Sequence, residues 1–445
     1  LSSVRKAVWV HCGFQCSKDA LVRSFILVLC CFFISLNLSS AESKPQQQPE
    51  TLLLISIDGF AQNYLQRYQA PVLQRLARGG VTAARMQPSF PTKTFPNHYS
   101  IATGLYPAHH GIVENNIYDA DFDAVFRMNK HEEVTNGRWW LGEPVWVTAE
   151  KQGVKTGTYF FPGSEAAIKG VRPGLWQAYD GSIRNIDRVN SVLAWLDLPV
   201  EKRPQFLTLY FSSVDDAGHA YGPESEQVAA AIADVDQALA VLVAGLEQRG
   251  LLNSINLMLV SDHGMAKVLQ QQVIELDQLF DEKKAALVLW TPEIVSIFPK
   301  VGELEPIYQQ LKTSLPSQAT VYKKSELPER WHYQDSKRIA PLLVVPEPGW
   351  RLMQKHKQKE WLEKPGLSAV TGSHGYDNDS PAMQAIFIGH GPAFTAGRQI
   401  PAFANIELYN LMCRILAIEP APNDGDPLWA ETVLNAEYKK ALPAD

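Results

Sequence analysis

The chain has 445 residues, 46% of them apolar and 20% charged, the balance of an ordinary globular protein with ample core to bury. A net charge of −6 over this length builds no basic face, which argues against nucleic-acid wrapping or an anionic membrane surface as partner. Small anionic ligands stay open if a metal supplies local positive charge.

Residues 1–41 read as a processing segment. Arg23 precedes SFILVLCCFFISLNL, an apolar run of signal-peptide length, short for a membrane span of about 20 residues. Ser39 and Ala41 fit the small-residue positions of a cleavage site before Glu42, and residues 1–20 read as an upstream extension. The expected location is the periplasm or outside the cell, without stable membrane insertion after cleavage. Cys12, Cys16, Cys30 and Cys31 fall in this segment, so the mature chain would keep only Cys413, in LYNLMCRILAI. It reads as a buried small hydrophobe with no disulfide partner.

Residues 42–50, ESKPQQQPE, form a polar linker. TLLLISI (51–57) is then a near-continuous apolar run, expected as a strand buried on both faces, and it stops at Asp58-Gly59. PQFLTLYFS (204–212), INLMLVS (255–261) and QAIFIGHG (384–391) are further strand candidates. The first of these ends near Asp215 and the second at Asp262-His263. SEQVAAAIADVDQALAVLVAGLEQRG carries the i, i+3, i+4 apolar face of a helix. Buried strands alternating with helices predict an α/β fold with a mostly parallel sheet, in which ligands bind beyond the carboxyl ends of the strands. The stretch from about 295 to 370 is less periodic and reads as a smaller, strand-rich insertion.

The chemistry concentrates at those strand ends. Asp58, Asp215, His219, Asp262, His263 and His374 (in GSHGYDN) form an N/O ligand set without thiolate, which suits Zn²⁺ better than Mn²⁺ or Fe. Six protein ligands are too many for one open catalytic site and fit two metals. Asp215 and His219, four apart, share one side of a helical turn. Taken singly, Asp58-Gly59 reads as a turn, and GSHGYDN as a loop that its glycines let turn tightly. Their joint occurrence carries the metal reading. His98, His109, His110, His131, His332, His356 and His390 lack such an arrangement and read as structural.

PTKTFPNHYS (91–100) offers two hydroxyls. Threonine is a weak nucleophile unless a base or metal activates it, and a two-metal site does so for phosphoryl displacement. HYSIATG reads as a short helix with Pro96 at its first position, which places Thr94 at an anion-favouring helix N-terminus. Thr92, in the extended stretch before it, is the weaker candidate.

SIDGF, PTKTFPNHYSIATGLYPAHHGIVENN, DDAGHAYGP, SDHGM and GSHGYDN, in that order, resemble the nucleotide pyrophosphatase/phosphodiesterase family of the alkaline phosphatase superfamily. The resemblance covers roughly residues 51–425 and points to a bacterial single-domain member. It implies an alkaline-phosphatase-like α/β/α sandwich, a catalytic domain over 51–445, and two Zn²⁺ per chain. Asp58, Thr94, Asp262 and His263 would bind one zinc; Asp215, His219 and His374 the other. Thr94 would be the nucleophile, and Asn115 in GIVENN would bind a phosphate oxygen, helped by the Phe95 backbone N–H. Phe95 and Tyr179, in LWQAYDGS, would clamp the base of a nucleotide substrate. The implied reaction releases nucleoside 5′-monophosphates from phosphodiesters and pyrophosphates through a covalent threonine intermediate, on substrates such as ATP, dinucleotides or nitrophenyl nucleotide esters. Choline-type diesters or monoesters on the same site are the competing substrates, and a metal- or nucleotide-binding protein without turnover is the competing class. The absence of an arginine beside the motifs favours diesters over monoesters, and Thr94 excludes a sulfatase, which needs a formylglycine precursor at the nucleophile position.

Overall fold

The computed structural model describes residues 50–436 and 438, so the expected signal segment and nearly all of the linker lie outside the described residues. Eight strands form the main sheet: β1 (Thr51–Ile57), β2 (Val81–Ala83), β3 (Thr156–Tyr159), β4 (Leu175–Gln177), β5 (Phe206–Phe211), β6 (Ile255–Val260), β7 (Phe387–His390) and β8 (Arg398–Ile400). Their spatial order is β8-β2-β7-β6-β1-β5-β3-β4. From β6 to β4 all pairs are parallel, while β7 runs antiparallel to both β6 and β2. In the middle, Leu54 of β1 is in register with Thr208 of β5 and Met258 of β6.

Side chains of a strand alternate between faces, and here both faces are buried. Leu52 and Leu54 enter one core, whereas Leu53, Ile55 and Ile57 enter the other. β6 divides likewise, with Met258 and Val260 on the first side and Leu257 and Leu259 on the second. This is why the run reads as continuous rather than alternating. Each fully buried leucine or isoleucine contributes about 1.5–3 kcal/mol.

The helices that cover the two faces include α1 (Pro71–Gly79), α2 (Thr94–Thr103), α3 (Asn185–Leu196), α4 (Ser213–Tyr221), α5 (Glu226–Gln248) and α6 (Leu408–Ile415). α1, α3 and α5 bury Leu73, Val189, Val192, Ile232, Val235 and Leu239 on the second face. α5 begins where the Ser225 hydroxyl accepts from Val228 N at 3.2 Å, which satisfies one free amide of the first turn. α2 and α6 supply Tyr99, Ile101, Leu411 and Met412 to the first face. Cys413 of α6 is buried there, a small hydrophobe as expected.

A second, antiparallel sheet takes strands 285–291, 294–299, 342–346 and 319–323 in that spatial order. It packs its own core of Val295, Ile297, Ile307, Leu311, Leu342 and Val344. The strand-rich region thus starts at Ala285, earlier than the sequence pattern placed it. Its first strand buries only part of its residues, which blurs the apolar signal. The two-residue loop Pro292-Glu293 between its first strands carries Glu293 toward the active face.

Candidate functional site

Three neighbouring strands, β5, β1 and β6, end on the same side of the sheet. Asp58 follows β1, Asp262 and His263 follow β6, and β5 leads into α4, whose first turn holds Asp215 and whose later turn holds His219. His374 follows the strand Val370–Ser373, which pairs antiparallel with Ala266–Leu269 just beyond His263. The arrangement is that of ligands at the carboxyl ends of parallel strands.

The side chains converge. His263 Nε2 lies 2.9 Å from Asp262 Oδ2 and 3.4 Å from Asp58 Oδ1. His219 Nε2 lies 3.4 Å from Asp215 Oδ2 and 3.0 Å from His374 Nε2. The rings of His263 and His374 stack with centroids 3.5 Å apart, joining the two halves. Donor atoms within 4.8 Å of one another occur in the sets Asp215–His219–His374, Asp58–Asp215–His263 and Asp58–His98–Asp262. Gly59 permits this crowding. Its φ is +66°, and a Cβ there would stand 2.9 Å from Asp215 Oδ1.

The electrostatics fit bound cations. Asp58 Oδ1 and Asp215 Oδ1 are buried with no hydrogen-bond partner among the described residues. Such oxygens are costly unless something positive meets them. Burial, then the charges of Asp262 and Asp215, push the Asp58 carboxyl well above the usual range. Burial opposes ionisation of Asp262 too, yet the His263 and His98 imidazoles beside it hold its carboxyl well below that range. Burial, then His263 and His219, hold His374 well below the ordinary histidine value, in the neutral form that ligates metal. The Asp/His cluster therefore offers hard oxygen and imidazole donors suited to divalent metal.

α2 starts at Thr94, two residues before the sequence pattern placed its first turn, so Pro96 occupies the third position, where its missing N–H still costs nothing. Thr94 Oγ1 lies 3.3 Å from His263 Nε2. Thr92 is committed elsewhere. Its hydroxyl donates to Tyr376 O at 3.0 Å and accepts from Gly375 N at 2.9 Å, while its carbonyl contacts His374 Nδ1 at 2.8 Å. The geometry separates the two threonines: one faces the cluster, the other holds the His374 loop. Asn115 Oδ1 accepts from Phe95 N at 3.1 Å, which occupies that backbone N–H and leaves Asn115 Nδ2 as the donor. Phe95 is half-buried against Phe126 and Trp140. Tyr179 is 52% exposed, its ring edge-on to Phe160, so it is not a core aromatic.

Three supports escape sequence reading. His98, read as structural, is fully buried with Nδ1 at 2.9 Å from Thr94 O and 3.3 Å from Asp262 Oδ2, and Nε2 at 2.8 Å from Ser56 Oγ. With both nitrogens engaged it braces Asp262 and the start of α2 rather than ligating. Its four-residue spacing from Thr94 was the available signal. Tyr210 donates its hydroxyl to Asp58 Oδ2 at 2.5 Å. Lys93, buried next to Thr94, pairs with Glu293 of the small sheet and lies 3.9 Å from Glu114; Glu293 also accepts from Ser373 Oγ. This buried ion cluster ties together the residues preceding Thr94, Asn115 and His374.

Residues 52–377 match the family model described as type I phosphodiesterase/nucleotide pyrophosphatase. Among curated proteins, the chain is 39% identical over 398 residues to ectonucleotide pyrophosphatase/phosphodiesterase family member 1 of Mus musculus, covering 87% of this chain and 43% of that protein. It is 41% identical over 388 residues to venom phosphodiesterase CdcPDE of Crotalus durissus collilineatus, covering 85% of this chain and 46% of that protein. The chain thus spans less than half the length of these relatives. Among solved structures, murine ectonucleotide pyrophosphatase/phosphodiesterase 5 superposes with a TM-score of 0.80 at 33% identity, over 87% of this chain and 100% of that one. An inactive threonine-to-alanine form of that enzyme in complex with AMP superposes with a TM-score of 0.80 at 32% identity.

Proposed function

The chain belongs to the type I phosphodiesterase/nucleotide pyrophosphatase family, and we propose that it hydrolyses nucleotide phosphodiester and pyrophosphate bonds through a covalent intermediate on Thr94. The observation that carries this is the placement of the Thr94 hydroxyl, at the first residue of α2, against the buried Asp/His cluster. Asp58, Asp262 and His263, with Thr94, would hold one divalent metal, and Asp215, His219 and His374 a second; the donor set favours zinc. When bound, the metals would supply the positive charge that lowers the hydroxyl's pKa and meets the developing oxyanions.

The Thr94 hydroxyl gives its proton to water, Oγ1 attacks phosphorus and the Oγ1–P bond forms, and the ester or anhydride oxygen leaves on the opposite side with the electron pair of the broken P–O bond. Water then cleaves the Oγ1–P bond, which restores the hydroxyl and releases a nucleoside 5′-monophosphate. Asn115 Nδ2, oriented by the Phe95 N–H, donates to a non-bridging oxygen. Phe95 and exposed Tyr179 offer aromatic faces to a base, worth about 1–3 kcal/mol each if it stacks. The AMP complex of a structural relative supports a nucleotide over a choline ester. The apolar run after Arg23 supports export, to the periplasm or beyond.

A substrate panel tests the reading. ATP and a nitrophenyl ester of TMP should be cleaved with kcat/KM at least tenfold above glycerophosphocholine and above a nitrophenyl monoester, a margin of about 1.4 kcal/mol. Preference for glycerophosphocholine or the monoester would overturn it.

A further inference from the structure

The loop Pro292-Glu293, at the tip of the small sheet's first hairpin, comes against the residues that immediately precede Thr94 and His374. Glu293 Oε2 accepts from Lys93 Nζ, next to Thr94, and Glu293 Oε1 accepts from Ser373 Oγ, next to His374. Lys93 Nζ also lies 3.9 Å from Glu114 Oε1, next to Asn115, and Thr291 at the base of the loop places its Oγ1 3.4 Å from the same oxygen. Lys93, Glu114, Glu293 and Ser373 are all buried. Gly375, at φ +117°, leaves a passage for the lysine, because a Cβ there would overlap Lys93 Cε. The loop is held in turn by Pro292 O, which accepts from Leu352 N at 2.7 Å. Burial opposes ionisation of Glu293, yet Lys93 and then Arg351 hold its carboxyl below the usual range. A buried ion pair adds little net stability over well-packed apolar residues of the same volume. What it does supply is direction, since each charge-assisted hydrogen bond fixes the group it meets. Here one carboxylate fixes two segments that are remote in the chain and meet only at the site.

We propose that Glu293 is a positioning residue for the reaction: through Lys93 and Ser373 it sets the nucleophile Thr94 and the ligand His374 at their working distance across the two halves of the Asp/His cluster. The inference rests on the hydrolytic reading above, and deepens it by giving the small sheet a part in the chemistry. Reacting groups displaced by about 1 Å can lose about a hundredfold in rate, so a tether two residues removed from the reacting atoms is enough to govern turnover.

The test compares the full-length protein with its Lys93→Met/Glu293→Leu form, which removes the tether without stranding the lysine's charge. Denaturant unfolding gives the folded fraction, kinetics use the nitrophenyl ester of TMP, and competition with a chelating dye reads zinc binding to the metal-free protein. Per folded molecule, kcat should fall between about tenfold and a hundredfold, with KM little changed because Phe95 and Tyr179 are untouched. Zinc affinity should weaken by about 10–100-fold, the loss expected when a ligand's support is removed. A fall of less than about tenfold in either kcat or zinc affinity overturns the proposal and leaves the pair a packing element. A loss carried by KM instead of kcat overturns it too. Should the double variant not fold, Glu293→Gln, which keeps the volume and one acceptor oxygen, is read against the same limits. Failure of the wild type to cleave the ester would instead sink the hydrolytic reading, and the zinc titration would still decide whether Glu293 sets the site.

Discussion

Thr94 Oγ1 and His263 Nε2 stand 3.3 Å apart although 169 residues separate them in the chain. Each sits where a regular element meets the active face, Thr94 at the first residue of α2 and His263 just beyond β6. The sheet register sets Asp58 beside Asp262 and His263, because Ser56 of β1 is paired with Val260 of β6, and His98 of α2, 2.8 Å from Ser56 Oγ and 3.3 Å from Asp262 Oδ2, holds the start of α2 against them.

Thr92 provides the contrast. Its hydroxyl joins Gly375 N and Tyr376 O, both buried, so Thr92→Val should leave an amide unsatisfied and cost about 1–3 kcal/mol. Thermal unfolding should show the loss, with residual turnover scaling with the fraction folded. A variant as stable as wild type would remove Thr92 from the support of the His374 loop.

Metal should stabilise as well as activate. The buried Asp58 Oδ1 and Asp215 Oδ1 make no hydrogen bond among the described residues, so chelation should lower Tm and abolish turnover, and zinc should restore both. His98→Ala, which loosens Asp262, should weaken metal affinity by about 10–100-fold, read by competition with a chelating dye. Affinity equal to wild type would leave His98 a packing residue only.

The Lys93–Glu293 pair makes a third prediction. Glu293→Ala leaves the Lys93 ammonium buried beside a single carboxylate 3.9 Å away, which should cost about 3–5 kcal/mol. Lys93→Met combined with Glu293→Leu should recover most of that stability in denaturant unfolding. A double variant no better than the single one would mean that the pair is not an independent unit.

His110 sets a pH dependence away from the metal cluster. Its Nδ1 accepts from Ile112 N at 3.2 Å and its Nε2 lies 3.1 Å from Pro96 O, a neutral imidazole with both nitrogens assigned. Burial pushes its pKa from 6.5 down to about 3. The unfolded chain therefore takes up a proton that the folded one refuses, and stability falls as pH drops below about 6.5. The free-energy gap between wild type and His110→Gln should narrow by about 1.4 kcal/mol per pH unit below that value. A gap that is constant from pH 7 to about 4 would contradict the assignment.

What the sequence revealed and what it hid follow from range. β1 is legible to the residue, because a strand buried on both faces leaves an unbroken apolar run, and the Asp or Asp-His after each such run marks the active edge. Asn115, Phe95 and Tyr179 needed the family resemblance, since nothing in their own neighbourhoods distinguishes them from loop or core residues. The Lys93–Glu293 contact, between residues 200 apart, leaves no local pattern.

The most direct test is to make Thr94→Ala and measure, on the same sample, its metal content and the release of nucleoside 5′-monophosphate from a nitrophenyl ester. The account predicts roughly a thousandfold or greater loss of kcat, as for removal of a covalent nucleophile, with zinc still near two per chain. Turnover within tenfold of wild type in a metal-loaded Thr94→Ala protein would contradict it.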